Sequence, residues 1–150
     1  MLSYIQRIQI PVPGLAQLQS EARDEGYRFL DTLVHEWVSG ENRFDRKGEV
    51  LCGHFDGALL VAVGGLNQDP FLTDPSVGRI RRLYVRQGWR NHGIGGALLD
   101  TLVRFAEEHF CSVRLRAESM NAARLYERRG FIPIQSPSAT HILHLRARKS

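Results

Sequence analysis

Residues Arg90 to Gly96 (RNHGIGG) place an arginine ahead of three glycines in four positions, and Ala97, Leu98 and Leu99 follow without a proline. Glycine at 93 or 95 lets backbone amides close on an anion where any side chain would hold it off. If a helix begins here, its unpaired N–H groups and the positive end of its dipole converge on that point. The chemistry of such a turn is phosphate binding, and Arg90 adds a full charge at its mouth. Two nucleotide templates fail. A dinucleotide fingerprint needs Gly or Ala where Leu98 stands, and no acid sits at a strand end about 20 residues on. A triphosphate loop needs Gly-Lys-Ser or Gly-Lys-Thr, but the only lysines are Lys47 and Lys149. A turn that merely reverses the chain rarely needs three glycines.

The flanking pattern supplies the elements that would hold this turn. Gly78 to Arg86 (GRIRRLYVR) reads as a strand with a broken phase: Leu83 and Val85 share one face, and Ile80 falls on the other. One extra residue near Arg81 or Arg82 would bring all three to one side, bend the strand and splay it from a neighbour. The alternative is a sheet buried on both faces. After Ile94, the positions Leu98, Leu102, Phe105, Ala106 and Phe110 recur at helical spacing, opposite Asp100, Thr101, Arg104, Glu107 and Glu108. Ser112 to Glu118 alternates as a strand; Ser119 caps a helix through Arg129, which Gly130 ends. Phe131 to Ile134 and Thr140 to Arg148 read as extended. Upstream, Gly14 to Gly26 and Tyr27 to Val38 read as two amphipathic helices that open the chain. Glu49 to Leu66 reads as a hairpin turned at Asp56 and Gly57, with Gly64 and Gly65 marking a bulge or a close approach. The expected fold is therefore α/β, with a mixed sheet.

Composition sets outer bounds. A chain of 150 residues is the size of one domain, read here as residues 1–150. No apolar run spans a bilayer and the N-terminus lacks a secretory pattern, so the expected address is the cytoplasm. Cys52 and Cys111 lack metal-ligand spacing and read as buried thiols. His141 and His144 fall on opposite faces of a strand and are no metal pair; no metal is expected. Residues 1–78 hold six basic and eleven acidic side chains, and residues 79–150 hold fourteen basic and five acidic. The second half is the anion-binding half. Its arginines are scattered and lack interleaved aromatics, so nucleic acid is not the expected partner.

With these residues in view, a resemblance becomes specific. LYVRQGWRNHGIGGALL, with Arg-x-x-Gly-x-Gly after a strand, resembles the acyl-coenzyme A motif of GCN5-related N-acetyltransferases (GNAT), and AARLYERRGF (Ala122 to Phe131) is similar to that family's C-terminal helix. The two segments lie within residues 78–134. The resemblance implies a mostly antiparallel sheet with a splayed central strand pair flanked by helices, and acetyl-CoA as co-substrate. It places the pantothenate arm along Leu83, Tyr84 and Val85, and the pyrophosphate on the turn formed by Arg90, Asn91, His92, Gly93, Ile94, Gly95 and Gly96. It matches Tyr126 to a general acid that protonates the leaving thiolate. Ser119 stands where many members carry asparagine, with Asn121 two positions on as the alternative contact. Where many members carry a basic glutamate on the bulged strand, this chain has Arg79-Ile80-Arg81-Arg82. An ammonium must still lose a proton before attacking a thioester; Glu118 is the nearest candidate base, with Asp69 and Asp74 behind it.

The implied activity is direct transfer of acetyl to a primary amine on a small molecule or peptide. The acidic first half suggests a cationic acceptor. The missing glutamate keeps a catalytically decayed acyl-CoA-binding module as the alternative. The oligomeric state, a homodimer included, stays open.

Overall fold

The computed structural model describes residues 3–145, which form one seven-stranded sheet and four α-helices. The strands are β1 (Ser3–Arg7), β2 (Val50–Asp56), β3 (Leu59–Gln68), β4 (Val77–Val85), β5 (Ser112–Leu115), β6 (Ile132–Pro133) and β7 (His141–His144). They lie in the order β1-β2-β3-β4-β5-β7-β6, and every adjacent pair is antiparallel except β4–β5. The helices are α1 (Leu15–Asp24), α2 (Phe29–Ser39), α3 (Ile94–Glu107) and α4 (Met120–Arg128). The mixed, mostly antiparallel sheet is the one expected.

Two cores lie on the two faces. Leu98, Leu99, Leu102 and Ala106 of α3 pack on Val50, Ala62, Leu66 and Ile80. On the other face, Leu15, Leu18 and Ala22 of α1 and Leu30 and Leu33 of α2 pack on Leu51, Leu60, Val63 and Tyr84. Each fully buried leucine contributes about 1.5–3 kcal/mol, so α3 is held firmly against the sheet beside the site described below.

The broken phase of β4 is a bulge. Val63 pairs with Tyr84 and Gly65 with Arg81, so β4 uses three residues where β3 uses two, and Arg82 is left-handed at φ 62°. The extra residue brings Ile80, Leu83 and Val85 to the α3 face and leaves Tyr84 on the α1/α2 face. Gly64 and Gly65 mark a close approach: a Cβ on Gly65 would lie 2.8 Å from Cζ of Phe44, and one on Gly64 would lie 2.9 Å from Leu83. β4 bonds to β5 only where Val77–Arg79 meet Ser112–Arg114. Beyond Arg79 the two strands part, and peptide groups of β4 that face the gap have no ladder partner among the described residues.

Some expectations change. The chain opens on β1, not on a helix; this edge strand has mostly exposed side chains, so it carries no alternating apolar signal. Asp56 pairs with Leu59, so the hairpin loop is Gly57–Ala58 rather than Asp56–Gly57. β5 stops at Leu115, which places Glu118 in the connection to α4 instead of at a strand end. Cys111 is exposed, while Cys52 is buried, and burial pushes its thiol pKa up to about 11. Residues 146–148 of the expected last strand lie outside the described residues.

Candidate active site

The gap between β4 and β5 opens into a cavity of about 560 Å³ beneath α3 and α4. Leu83, Tyr84 and Val85 form one wall, and the turn contributes Arg90, Asn91, Gly93, Ile94, Gly95 and Gly96. Glu118, Asn121 and Tyr126 close the far side, together with Ser119. Of the residues expected at the cofactor and the reacting centre, His92 stays away: it is exposed and off the cavity wall. The Ser119 hydroxyl is engaged in capping α4, accepting from the Ala122 amide at 3.1 Å.

The turn has the anion-binding form that its glycines suggest. Gly93 holds a left-handed φ of 79°, and no side chain caps α3. The first helical bond runs from the Ala97 amide to the Gly93 carbonyl at 3.0 Å. The amides of Ile94, Gly95 and Gly96 are therefore left over by the helix, at its positive end. A Cβ on Gly95 would sit 3.3 Å from Val85 and 3.5 Å from Leu125, where the helix runs closest to the splayed strand. Gly96 does more than let the helix begin near the sheet. The Arg129 guanidinium lies over it, with Cζ 2.7 Å from where a Cβ would stand, and donates from Nε to Asp100 at 3.3 Å.

Arg90 departs from its expected role. Its guanidinium donates twice to Glu25, each bond 2.7 Å, and once to the Val85 carbonyl at 3.0 Å, while lying 5.2 Å from the Tyr84 ring centre. The Tyr84 hydroxyl donates to the same carboxylate. Arg90 is thus a neutralised strut between the end of α1 and the end of β4. Among the described residues, the other arginines on this cavity are Arg124 and Arg128 of α4 and Arg129 just beyond its end. The Glu25 partnership was invisible in sequence, because 65 residues separate it from Arg90.

Tyr126 is buried at the opposite end, its ring 5.9 Å from Phe131 and 6.3 Å from His141. Its hydroxyl makes no hydrogen bond among the described residues. Burial, and then the nearby Glu118 charge, push its pKa well above that of an ordinary phenol. The hydroxyl therefore keeps its proton at neutral pH. His141 is fixed by Glu127 at 2.8 Å and Thr140 at 2.7 Å. No group of three or more His, Cys, Asp or Glu capable of holding a metal occurs among the described residues.

A second cavity of about 220 Å³ meets the first at Phe29, Leu83, Glu118 and Tyr126, which line both. Its remaining walls include Arg79, Arg81, Arg82 and Arg116. This basic lining runs against the cationic acceptor suggested by the net charge of residues 1–78. Two candidate bases lie elsewhere. Asp69 is fully buried between Arg79 at 3.5 Å and Arg114 at 3.4 Å, and it accepts from the Phe71 amide at 2.8 Å. Asp74 caps a turn, accepting from the Ser76 amide and hydroxyl, and the amide holds its pKa below the usual value. Only Glu118 reaches both cavities.

A bulged strand, a helix N-terminus facing the gap, and two cavities that share Phe29, Leu83, Glu118 and Tyr126 accompany a family match. The acetyltransferase (GNAT) family model matches residues 14–131. This chain belongs to the GNAT family. Membership implies acyl transfer from an acyl-CoA to an acceptor. Among solved structures the GNAT fold recurs in a protein from Exiguobacterium sp. 255-15 assigned as an acetyltransferase, with a TM-score of 0.86, 24% identity, and 96% of this chain and 94% of that chain covered. It recurs in a GCN5-related N-acetyltransferase from Kribbella flavida (0.74, 14%, 95% and 96%). It also recurs in the ribosomal-protein-S18-alanine N-acetyltransferase from Escherichia coli (0.70, 14%, 99% and 97%). No curated protein sequence matches the chain. No described helix is long and apolar enough to cross a membrane.

Proposed function

We propose that this GNAT protein is an N-acetyltransferase, a single domain over residues 1–150, that moves an acetyl group directly from acetyl-CoA to a primary amine of a small molecule or peptide. The observation that carries the reading is the meeting of the two cavities at Glu118 and Tyr126. A donor in the larger one and an acceptor in the smaller one would meet beside these two polar side chains. The free amides of Ile94, Gly95 and Gly96 suit a pyrophosphate, with Arg129 beside them. Leu83 and Tyr84 lie where β4 has no ladder partner toward β5 and would face the amide-rich arm of coenzyme A, with Val85, whose carbonyl Arg90 holds, beside them. A β4 amide facing the gap would polarise the thioester carbonyl.

The steps balance without any further reactant. Glu118, directly or through water, accepts a proton from the ammonium. The amine nitrogen then bonds to the acetyl carbon as the carbon–sulfur bond breaks, the Tyr126 hydroxyl protonates the departing thiolate, and the second proton shed by the acylated nitrogen returns through water to the Tyr126 phenolate. With its pKa raised by burial, Tyr126 is protonated in the resting site and has a proton to give to the departing sulfur. The test is an amine panel monitored by release of free thiol from acetyl-CoA. Amine-dependent thiol release supports the reading; acetyl-CoA binding with no amine-dependent release across the panel would leave a binding module instead.

A further inference from the structure

The acceptor cavity holds a cation without a partner. Arg79 is engaged by Asp69 and by the Ser138 carbonyl at 2.7 Å, and Arg82 by Glu36 at 3.0 Å. Arg81, between them on the bulged strand, makes no hydrogen bond or ion pair among the described residues, and its Nε is buried without an acceptor. Arg116, on the opposite wall, donates to the Pro137 carbonyl and has no carboxylate partner there. A half-buried guanidinium facing a cavity with its donors unused is costly unless an anion completes it. The single carboxylate on this cavity, Glu118, lies where the cavity meets Tyr126. The lining is thus divided: an acid beside the tyrosine where an amine must react, and arginines on the remaining wall. A volume of about 220 Å³ is below that of pockets for drug-sized ligands, roughly 300–1,000 Å³.

We propose that the acceptor is a small amine that also carries an anionic oxygen group, carboxylate or phosphate, bound with that group on Arg81 and Arg116 and its amine at Glu118. This rests on the acetyltransferase reading above. Arginine suits the task because its planar fork matches two oxygens at once. Burial, and then Arg82, lower the Arg81 pKa to about 10, which leaves it charged at neutral pH and strengthens its demand for an anion.

The test compares matched acceptors on the purified protein with acetyl-CoA: free amino acids against their C-terminal amides, phosphoethanolamine against ethanolamine, and spermidine as a cationic control. The expected result is a kcat/KM for carboxylate- or phosphate-bearing amines about tenfold to hundredfold above that of their neutral partners, the size of charged hydrogen bonds gained. Arg81→Gln should erase most of that difference by costing carboxylate- and phosphate-bearing acceptors far more than their amides, and Arg116→Gln should reduce it. Removing an unpaired, partly buried charge should not lower the melting temperature, so loss of discrimination will not reflect unfolding. Calorimetric binding of N-acetylamino acids and their amides to the coenzyme A-saturated protein reads the same preference without turnover. Equal use of acids and amides, preference for spermidine, or an Arg81→Gln variant that slows all acceptors alike would overturn the proposal and leave the acetyltransferase reading intact. Absence of both acetyl-CoA binding and thiol release would instead overturn the reading on which it rests.

Discussion

Replacing Glu25 with glutamine tests whether Arg90 is a strut or a phosphate ligand. The Glu25 carboxylate accepts two Arg90 bonds of 2.7 Å and the Tyr84 hydroxyl, tying the end of α1 to the end of β4. Side-chain exposures of 25% for Glu25 and 36% for Arg90 place the pair between surface and interior. Fully buried hydrogen bonds to charged groups contribute about 1.5–3 kcal/mol, and exposed pairs at most about 1 kcal/mol. A coupling of about 1–2 kcal/mol is therefore expected, which for a chain of this size corresponds to a melting-temperature loss of about 2–8 °C. The Arg90 hydrogen bonds are the largest cause holding the Glu25 pKa below its usual 4.5. A depressed carboxylate pKa adds stability that is complete above the unfolded value and vanishes as pH falls through the folded one. Thermal melts of the native chain, Glu25→Gln, Arg90→Gln and the double variant at pH 7 and pH 3 measure this directly. The gap between native and Glu25→Gln should be full at pH 7 and narrower at the lower pH, with the double variant no worse than either single. Additive losses, or a gap equal at both pH values, would refute the strut.

Other substitutions probe the remaining parts. Gly95→Val fills the narrow space against Val85 and Leu125, and should weaken acetyl-CoA binding by about tenfold or more, roughly 1.4 kcal/mol per decade, read by calorimetry. Gly96→Ala gains helix propensity of up to about 1 kcal/mol and displaces the Arg129 guanidinium; a preserved melting temperature with a few-fold weaker coenzyme A affinity is the expected pair of results. Asp69→Asn leaves Arg79 and Arg114 buried without their carboxylate, at a cost of about 3–5 kcal/mol, which a denaturant titration will resolve.

The elements around the turn were legible because local rules act there. The glycine at a left-handed helix start, the Ser119 cap and the α3 stripe each follow from a few neighbouring residues. The bulge was legible for a similar reason: the phase of Ile80 against Leu83 and Val85 cannot be reconciled without an extra residue or a second buried face. What stayed hidden depends on distant partners. Arg90 reads as a free cation until Glu25 arrives from another element, and Gly96 reads as a helix start until Arg129 lies on it. Asp69 reads as a surface base until two arginines from β4 and β5 close over it. The acceptor side is hidden for a further reason: net charge sums a whole half of the chain, whereas the smaller cavity is lined by a few side chains brought together from distant segments.

The central claim is that the donor and acceptor cavities meet in one reaction at Tyr126, and turnover of Tyr126→Phe tests it most directly. Phenylalanine keeps the buried ring contacts with Phe131 and removes only a hydroxyl that makes no hydrogen bond among the described residues, so folding and acetyl-CoA affinity should hold. The account predicts that kcat for thiol release falls by about a hundredfold or more, the share of a positioned general acid. A variant with native kcat, or one whose loss lies in KM alone, would contradict it.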